Sequence, residues 1–174
     1  YPHRKLKVIE SFNRSQSTAG EASHKVYEYD YTPFYSADDG SESPHSPRRT
    51  VIKILNQEYQ RIYRSYSAHE EREYVCLTPG AAWNESSNLV TVTKTVTSGY
   101  FIDRIASVLN PGKLASVYTY TYNKSTDTET VVTKSGAATI AGETITITAG
   151  TQTTTVAMND VAQSTSTVDI ASGL

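Results

Sequence analysis

Gly99-Tyr-Phe-Ile-Asp-Arg-Ile-Ala-Ser-Val-Leu-Asn-Pro-Gly-Lys-Leu-Ala-Ser-Val-Tyr-Thr-Tyr-Thr-Tyr-Asn123 has the form strand, turn, strand. Pro presets a turn-compatible φ and Gly supplies a positive one, so Asn110-Pro111-Gly112 is a turn between two runs rich in β-branched and aromatic residues. Weaker echoes of the same unit lie on both sides. A chain of such units is built by stacking hairpins rather than by closing around one catalytic pocket. That points to a structural or surface role.

Toward the C-terminus the pattern continues. Leu89 to Thr97 alternates Leu89, Thr91, Thr93 and Thr95 against Val90, Val92, Lys94 and Val96, the period of a strand. Tyr100 to Leu109, Leu114 to Tyr122, Thr128 to Lys134, Thr139 to Thr148, Thr151 to Met158 and Gln163 to Ile170 are the further strands expected. Ser98-Gly99, Ser135-Gly136, Ala149-Gly150 and Asn159-Asp160 stand at the expected turns. Strands at such spacing, with turn signals between them, mean an all-β fold.

Toward the N-terminus the chain is less regular. Lys5 to Phe12 is a candidate first strand, Asn13 to Ser23 a polar loop, and Val26 to Tyr31 an alternating strand. Residues 33–47 hold three Pro, one Gly and the pair Asp38-Asp39, and form the longest expected loop. Arg49 to Leu55 and Tyr59 to Ser67 flank Asn56-Gln57-Glu58 as a hairpin. A helix is the rival reading of Ile52 to Tyr66, because Ile52, Leu55, Tyr59, Ile62, Tyr63 and Tyr66 also fit a helical stripe. β-Branched and aromatic residues dominate and no cap precedes them, so strands are preferred. Ala68 to Glu73 reads as a charged bend, and Glu73 to Leu77 as a short strand closed by Pro79-Gly80.

Composition shifts near residue 87. Residues 1–87 carry 11 Lys+Arg, 12 Asp+Glu and nine Tyr; residues 88–174 carry 5, 6 and four, with twenty Thr. The two stretches read as a Tyr-rich, more irregular β region and a Thr-rich hairpin-repeat region of one continuous repeat domain. Thr suits a sheet with a wet face, and Tyr a half-buried one. Only 37% of the 174 residues are hydrophobic, and the mean hydropathy is −0.45. A net charge of −2 implies no strong attraction to nucleic acid. No apolar run approaches the roughly 20 residues of a membrane span. The chain opens at Tyr1 and stops in mid-pattern at Ser172-Gly173-Leu174, and reads as a mature chain or a piece of a longer one.

Residues able to carry chemistry are few. Cys76 is alone, which excludes an internal disulfide and a four-cysteine zinc site, and it reads as a small buried apolar side chain. His3, His24, His45 and His69 form no metal-ligand spacing. His69-Glu-Glu-Arg-Glu73 reads as a solvated charged bend. Asp38-Asp39-Gly40 with Glu42 lacks the alternating acids and terminal Glu of a calcium loop. No phosphate loop and no nucleophile elbow are present. Tyr27, Tyr29, Tyr31 and Tyr35 could stack on sugars, but ordinary sheet packing accounts for them. No catalytic, cofactor-binding or metal-binding residue is nominated, and no cofactor is expected.

An internal echo organises the chain. Gln60-Arg-Ile-Tyr-Arg-Ser65 aligns without gaps on Asp103-Arg-Ile-Ala-Ser-Val108, at an offset of 43 residues, and each copy is expected to open a strand. Val161-Ala-Gln-Ser-Thr-Ser166 is a degenerate third. Repeats of about 20–50 residues mark arrays whose units cannot bury their faces alone. Arg104-Ile-Ala-Ser-Val-Leu-Asn-Pro-Gly112 with Val117-Tyr-Thr-Tyr120 resembles the RHS, or YD-repeat, family, and Val26-Tyr-Glu-Tyr-Asp30 resembles the strand that names the repeat. Val51 to Gln60 and Thr155 to Gln163, running on to Gly173, are similar to further units. The residue before the Arg, Gly in that family's pattern, is Gln60 in one copy and Asp103 in the other.

The resemblance implies sequential antiparallel hairpins in a curved, open repeat sheet; a β-sandwich is the alternative fold. It implies a non-enzymatic scaffold or encapsulating segment of a secreted or cell-surface bacterial protein. The partners would be the rest of a longer repeat chain or identical neighbouring subunits. Two other classes are open at this point. A virion or filament subunit would carry an unpaired or donated strand, such as Arg4 to Phe12. A carbohydrate-binding adhesin would show a surface patch of Tyr residues or Trp83.

Overall fold

The computed structural model describes residues 6–11, 24–38, 46–158 and 161–170. Its strands are β1 (Lys7–Ser11), β2 (His24–Asp30), β3 (Arg49–Ile54), β4 (Gln57–Ser67), β5 (Glu70–Cys76), β6 (Leu89–Thr95), β7 (Ile105–Asn110), β8 (Leu114–Asn123), β9 (Thr128–Ala141), β10 (Thr144–Met158) and β11 (Val161–Asp169). The sheet is antiparallel and open, and its strand order is the chain order. The fold is therefore a run of consecutive hairpins and not a sandwich with crossings. The chain divides into two compact units, Tyr1–Val90 and Thr91–Leu174.

In the first unit, β3 and β4 are strands and not a helix. Their turn is Leu55-Asn56, with φ of 51° and 60°. Two consecutive positive φ values match the right-handed twist of a two-residue hairpin, so Gln57 and Glu58 belong to β4 rather than to the turn. The register slips between Ile52 and Lys53, whose partners are Gln60 and Glu58, so Tyr59 occupies a bulge. Arg61 consequently lies inside β4 and does not open a strand as the repeat alignment expects. Between β4 and β5 the turn is only Ala68-His69. The expected charged bend is mostly strand: Glu71 pairs with Tyr66, Arg72 with Ser65, and Glu73 with Arg64. Consecutive charges are compatible with a strand here because no like charges face one another across the pairing, and Glu73 meets Arg64 at 2.6 Å.

Both faces of β4 are covered. Alternation puts Tyr63 on one face and Tyr66 on the other. On the first face Tyr63 pairs with Tyr74 and packs with Cys76, and two loops lie over them. Phe34 reaches in from the loop after β2, at 5.0 Å from Tyr63 between ring centres. Trp83 comes from the loop after β5, at 5.5 Å from Phe34 and 5.7 Å from Tyr74. Asn88 ties that second loop down through Nδ2 to the carbonyls of Ala82 and Trp83. On the second face the Arg48 guanidinium lies 4.5 Å above Tyr66 and its Nε is 3.0 Å from the Asp38 carboxylate. The Arg48 and Asp38 side chains are only 5% and 0% exposed, so this is a buried ion pair. The Arg48 backbone also bridges Asp30 O and Arg64 N. The long loop before β3 is thus anchored by Phe34 near its start and by the Asp38–Arg48 pair, which joins its two described ends.

In the second unit the Asn110-Pro111-Gly112-Lys113 turn forms as expected, with positive φ at Gly112 and Lys113. The strand expected from Tyr100 begins only at Ile105. Gly99 (φ 86°) and Asp103 (φ 67°) break the extended path, and Val96 N to Arg104 O with Asp103 N to Val96 O close the stretch between into a compact loop. Ser135-Gly136 and Ala149-Gly150 are not turns either. β9 and β10 continue through them, with a bulge at Thr148 beside Ala149, and the turn falls at Gly142, at φ 58°. Gly136 and Gly150 are partners on one rung, with φ of 151° and 152°. A Cβ on Gly136 would lie 2.0 Å from Ala149 O, and one on Gly150 1.9 Å from Ser135 O. The two glycines mark a close approach of backbones inside a long hairpin.

Candidate interaction surface

The described residues contain no group of three or more His, Cys, Asp or Glu placed to hold a metal ion. Asp38 is engaged with Arg48; Asp39, Gly40, Glu42, His3 and His45 lie outside the described residues. His24 is buried at the start of β2, and His69 stands in the β4–β5 turn. Within the His69–Glu73 cluster the carboxylates meet cations of the sheet: Glu70 bonds Arg72 Nε and Glu73 bonds Arg64. Cys76 is 4% exposed, with its thiol directed to Ala81 O. Burial pushes that thiol up from its ordinary value and keeps it protonated.

The Tyr residues of the first unit do not gather into one platform. Tyr27 and Tyr29 stack on one face of β2, 6.5 Å apart, and Tyr27 donates to Glu10 at 3.0 Å. Tyr35 leaves that face and packs edge-on to Trp83, 5.3 Å away. Trp83 is thereby part of the packed aromatic cluster and not a presented residue.

A cluster of exposed aromatic rings sits instead on the second unit, within residues 99–123. Tyr120 and Tyr122 occupy one face of β8, two residues apart. The loop between β6 and β7 folds back over them. Tyr100 stacks on Tyr122 with ring centres 4.9 Å apart and planes 9° from parallel. Phe101 stacks on Tyr120 at 5.3 Å and 28°. Tyr100 and Phe101 meet edge-on at 4.9 Å. The Arg104 guanidinium lies 5.1 Å from the Phe101 ring centre and 5.6 Å from that of Tyr120. It is held there by two hydrogen bonds to Glu129, the β9 residue opposite Tyr122. Tyr122 donates to Asp127 and Tyr120 to Ile105 O, which fixes both rings on the sheet.

Comparison with family models, with curated proteins and with solved structures gives no match. What this surface can do follows from its own geometry. It carries no nucleophile beside a base and no paired carboxylates around a cleft. It offers flat rings, one bound guanidinium and two carboxylates, which suit recognition. The sequence reading placed this aromatic run inside a strand. What would have revealed the loop is Ser98-Gly99 followed four residues later by Asp103, two residue types that tolerate positive φ around a short aromatic stretch.

Proposed function

We propose that this chain is a non-enzymatic structural segment of a secreted or cell-surface bacterial protein of the RHS/YD-repeat kind, serving as scaffold or as part of an encapsulating shell. The observation that carries the reading is the strand order, in which each strand lies beside its chain neighbours from β1 to β11. In such a ladder the backbone hydrogen bonds do the mechanical work, and cross-strand pairs such as Arg49 with Asp30 and Lys53 with Glu28 hold the register. The natural partner is more of the same repeat. A virion or filament subunit is the second reading; the pairing of β1 with β2 favours the first, because that strand is used within the chain and not donated.

The test is an immunoblot of fractionated source cells, using antibodies raised against the chain. A band far larger than the chain's own mass, in the surface or secreted fraction, is expected. A band of the chain's own mass in the cytosol would end the proposal.

A further inference from the structure

We infer that the Tyr100–Tyr122 stack is a carbohydrate-binding platform for glucose-configured oligosaccharides. Tyr100 remains 67% exposed although Tyr122 covers one of its faces, so the open area is its other face. Tyr122 is itself 38% exposed. A ring held flat, by a partner 9° from parallel and by Phe101 at its edge, offers its face to solvent without losing rotamer freedom when a ligand arrives. The loop that carries it is closed by four backbone hydrogen bonds, among them Ile102 N to Gly99 O and Arg104 N to Phe101 O.

The chemistry around the rings selects the ligand. A nucleic acid would also stack, but it needs cations along its backbone, and here Arg104 is already neutralised by Glu129 while Asp127 adds negative charge. A quaternary ammonium group needs several open ring faces set around it as a cage; Tyr100 and Phe101 do meet edge-on, but Phe101 is already engaged by Tyr120 at 5.3 Å and by the Arg104 guanidinium at 5.1 Å. A neutral pyranose with equatorial substituents presents a flat face of C–H groups to an aromatic ring and a rim of hydroxyls. Asp127, bonded by Tyr122, and the Arg104–Glu129 pair, held against Phe101 and Tyr120, are the polar groups of the same patch that such a rim would meet. This inference stands apart from the scaffold reading, since a wall segment and a free domain could both carry the platform.

The test is a backbone NMR titration of the whole chain with maltohexaose, cellohexaose and N-acetylchitohexaose. Shifts confined to residues 97–104, β8 and the start of β9 are expected with at least one of the three. Tyr100→Ala is expected to weaken that binding about tenfold or more while the resonances outside the patch stay native, and Tyr100→Phe to retain it. The inference is overturned if none of the three shifts these residues at about 10 mM, the weak end of useful affinity. It is equally overturned if binding survives Tyr100→Ala, or if dilution alone moves the same resonances, which would assign the patch to a second copy of the chain.

Discussion

Gly136 and Gly150 show how much can rest on a missing Cβ. Their φ values lie where only glycine is comfortable, and each would drive a Cβ into the other strand's backbone. Gly136→Ala is expected to cost about 2–4 kcal/mol, read as a lowered urea midpoint. At Leu55 the opposite gain is available. Its side chain is exposed and its φ is 51°, a conformation that costs an L residue about 1 kcal/mol. Leu55→Asn combined with Asn56→Gly should raise stability by about that amount, measured by thermal or denaturant unfolding. The glycine site was half legible in the sequence. A Gly inside a Thr-rich run signals a break in the ordinary strand path, but a turn and a close backbone approach leave the same mark. Only the partner strand, absent from any local window, distinguishes them. Leu55 left no signal, because its φ is imposed by the flanking strands and not by its own preference.

At the scale of elements, Glu58 couples the β3–β4 hairpin to the turn after β5. Burial opposes ionisation of its carboxyl, but the hydrogen bonds from Arg61 and from Gly80 N outweigh it and hold the group below its ordinary value. A depressed carboxylate stabilises the fold above its unfolded value of about 4.3, and that contribution is lost as pH falls through the folded value. Glu58→Gln should therefore lower stability at neutral pH by about 1.5–3 kcal/mol and flatten its fall below about pH 4, measured by denaturant unfolding across pH. The Arg48–Asp38 pair anchors the long loop, and Asp38→Ala leaves a buried guanidinium without its counter-ion. A loss of about 3–5 kcal/mol is expected in the same assay. Sequence reading placed Asp38 correctly in a loop yet gave it no task, because the cation that uses it is a neighbour in space, ten residues on.

For the molecule as a whole, the distribution of buried side chains predicts uneven stability. Val26, Val51, Tyr63, Tyr66, Tyr74 and Cys76 are buried in the first unit, whereas among the described residues of the second the buried apolar ones are Ala115 and Ala138. Amides of β4 and β5 should exchange slowest and those of β10 among the fastest, as read by hydrogen-exchange mass spectrometry. Equal protection along the chain would contradict this. The all-β class was legible because every pairing joins neighbours in the chain, so local strand and turn signals were nearly sufficient. The aromatic surface was not, since stacking Tyr100 on Tyr122 requires a loop to fold back across the strand that follows the next turn. The strand order carries one more consequence, for synthesis. A chain threaded from its first residue through a narrow channel would find the partner of each emerging strand already outside and waiting, so no strand would need to stay unfolded until a distant one arrived.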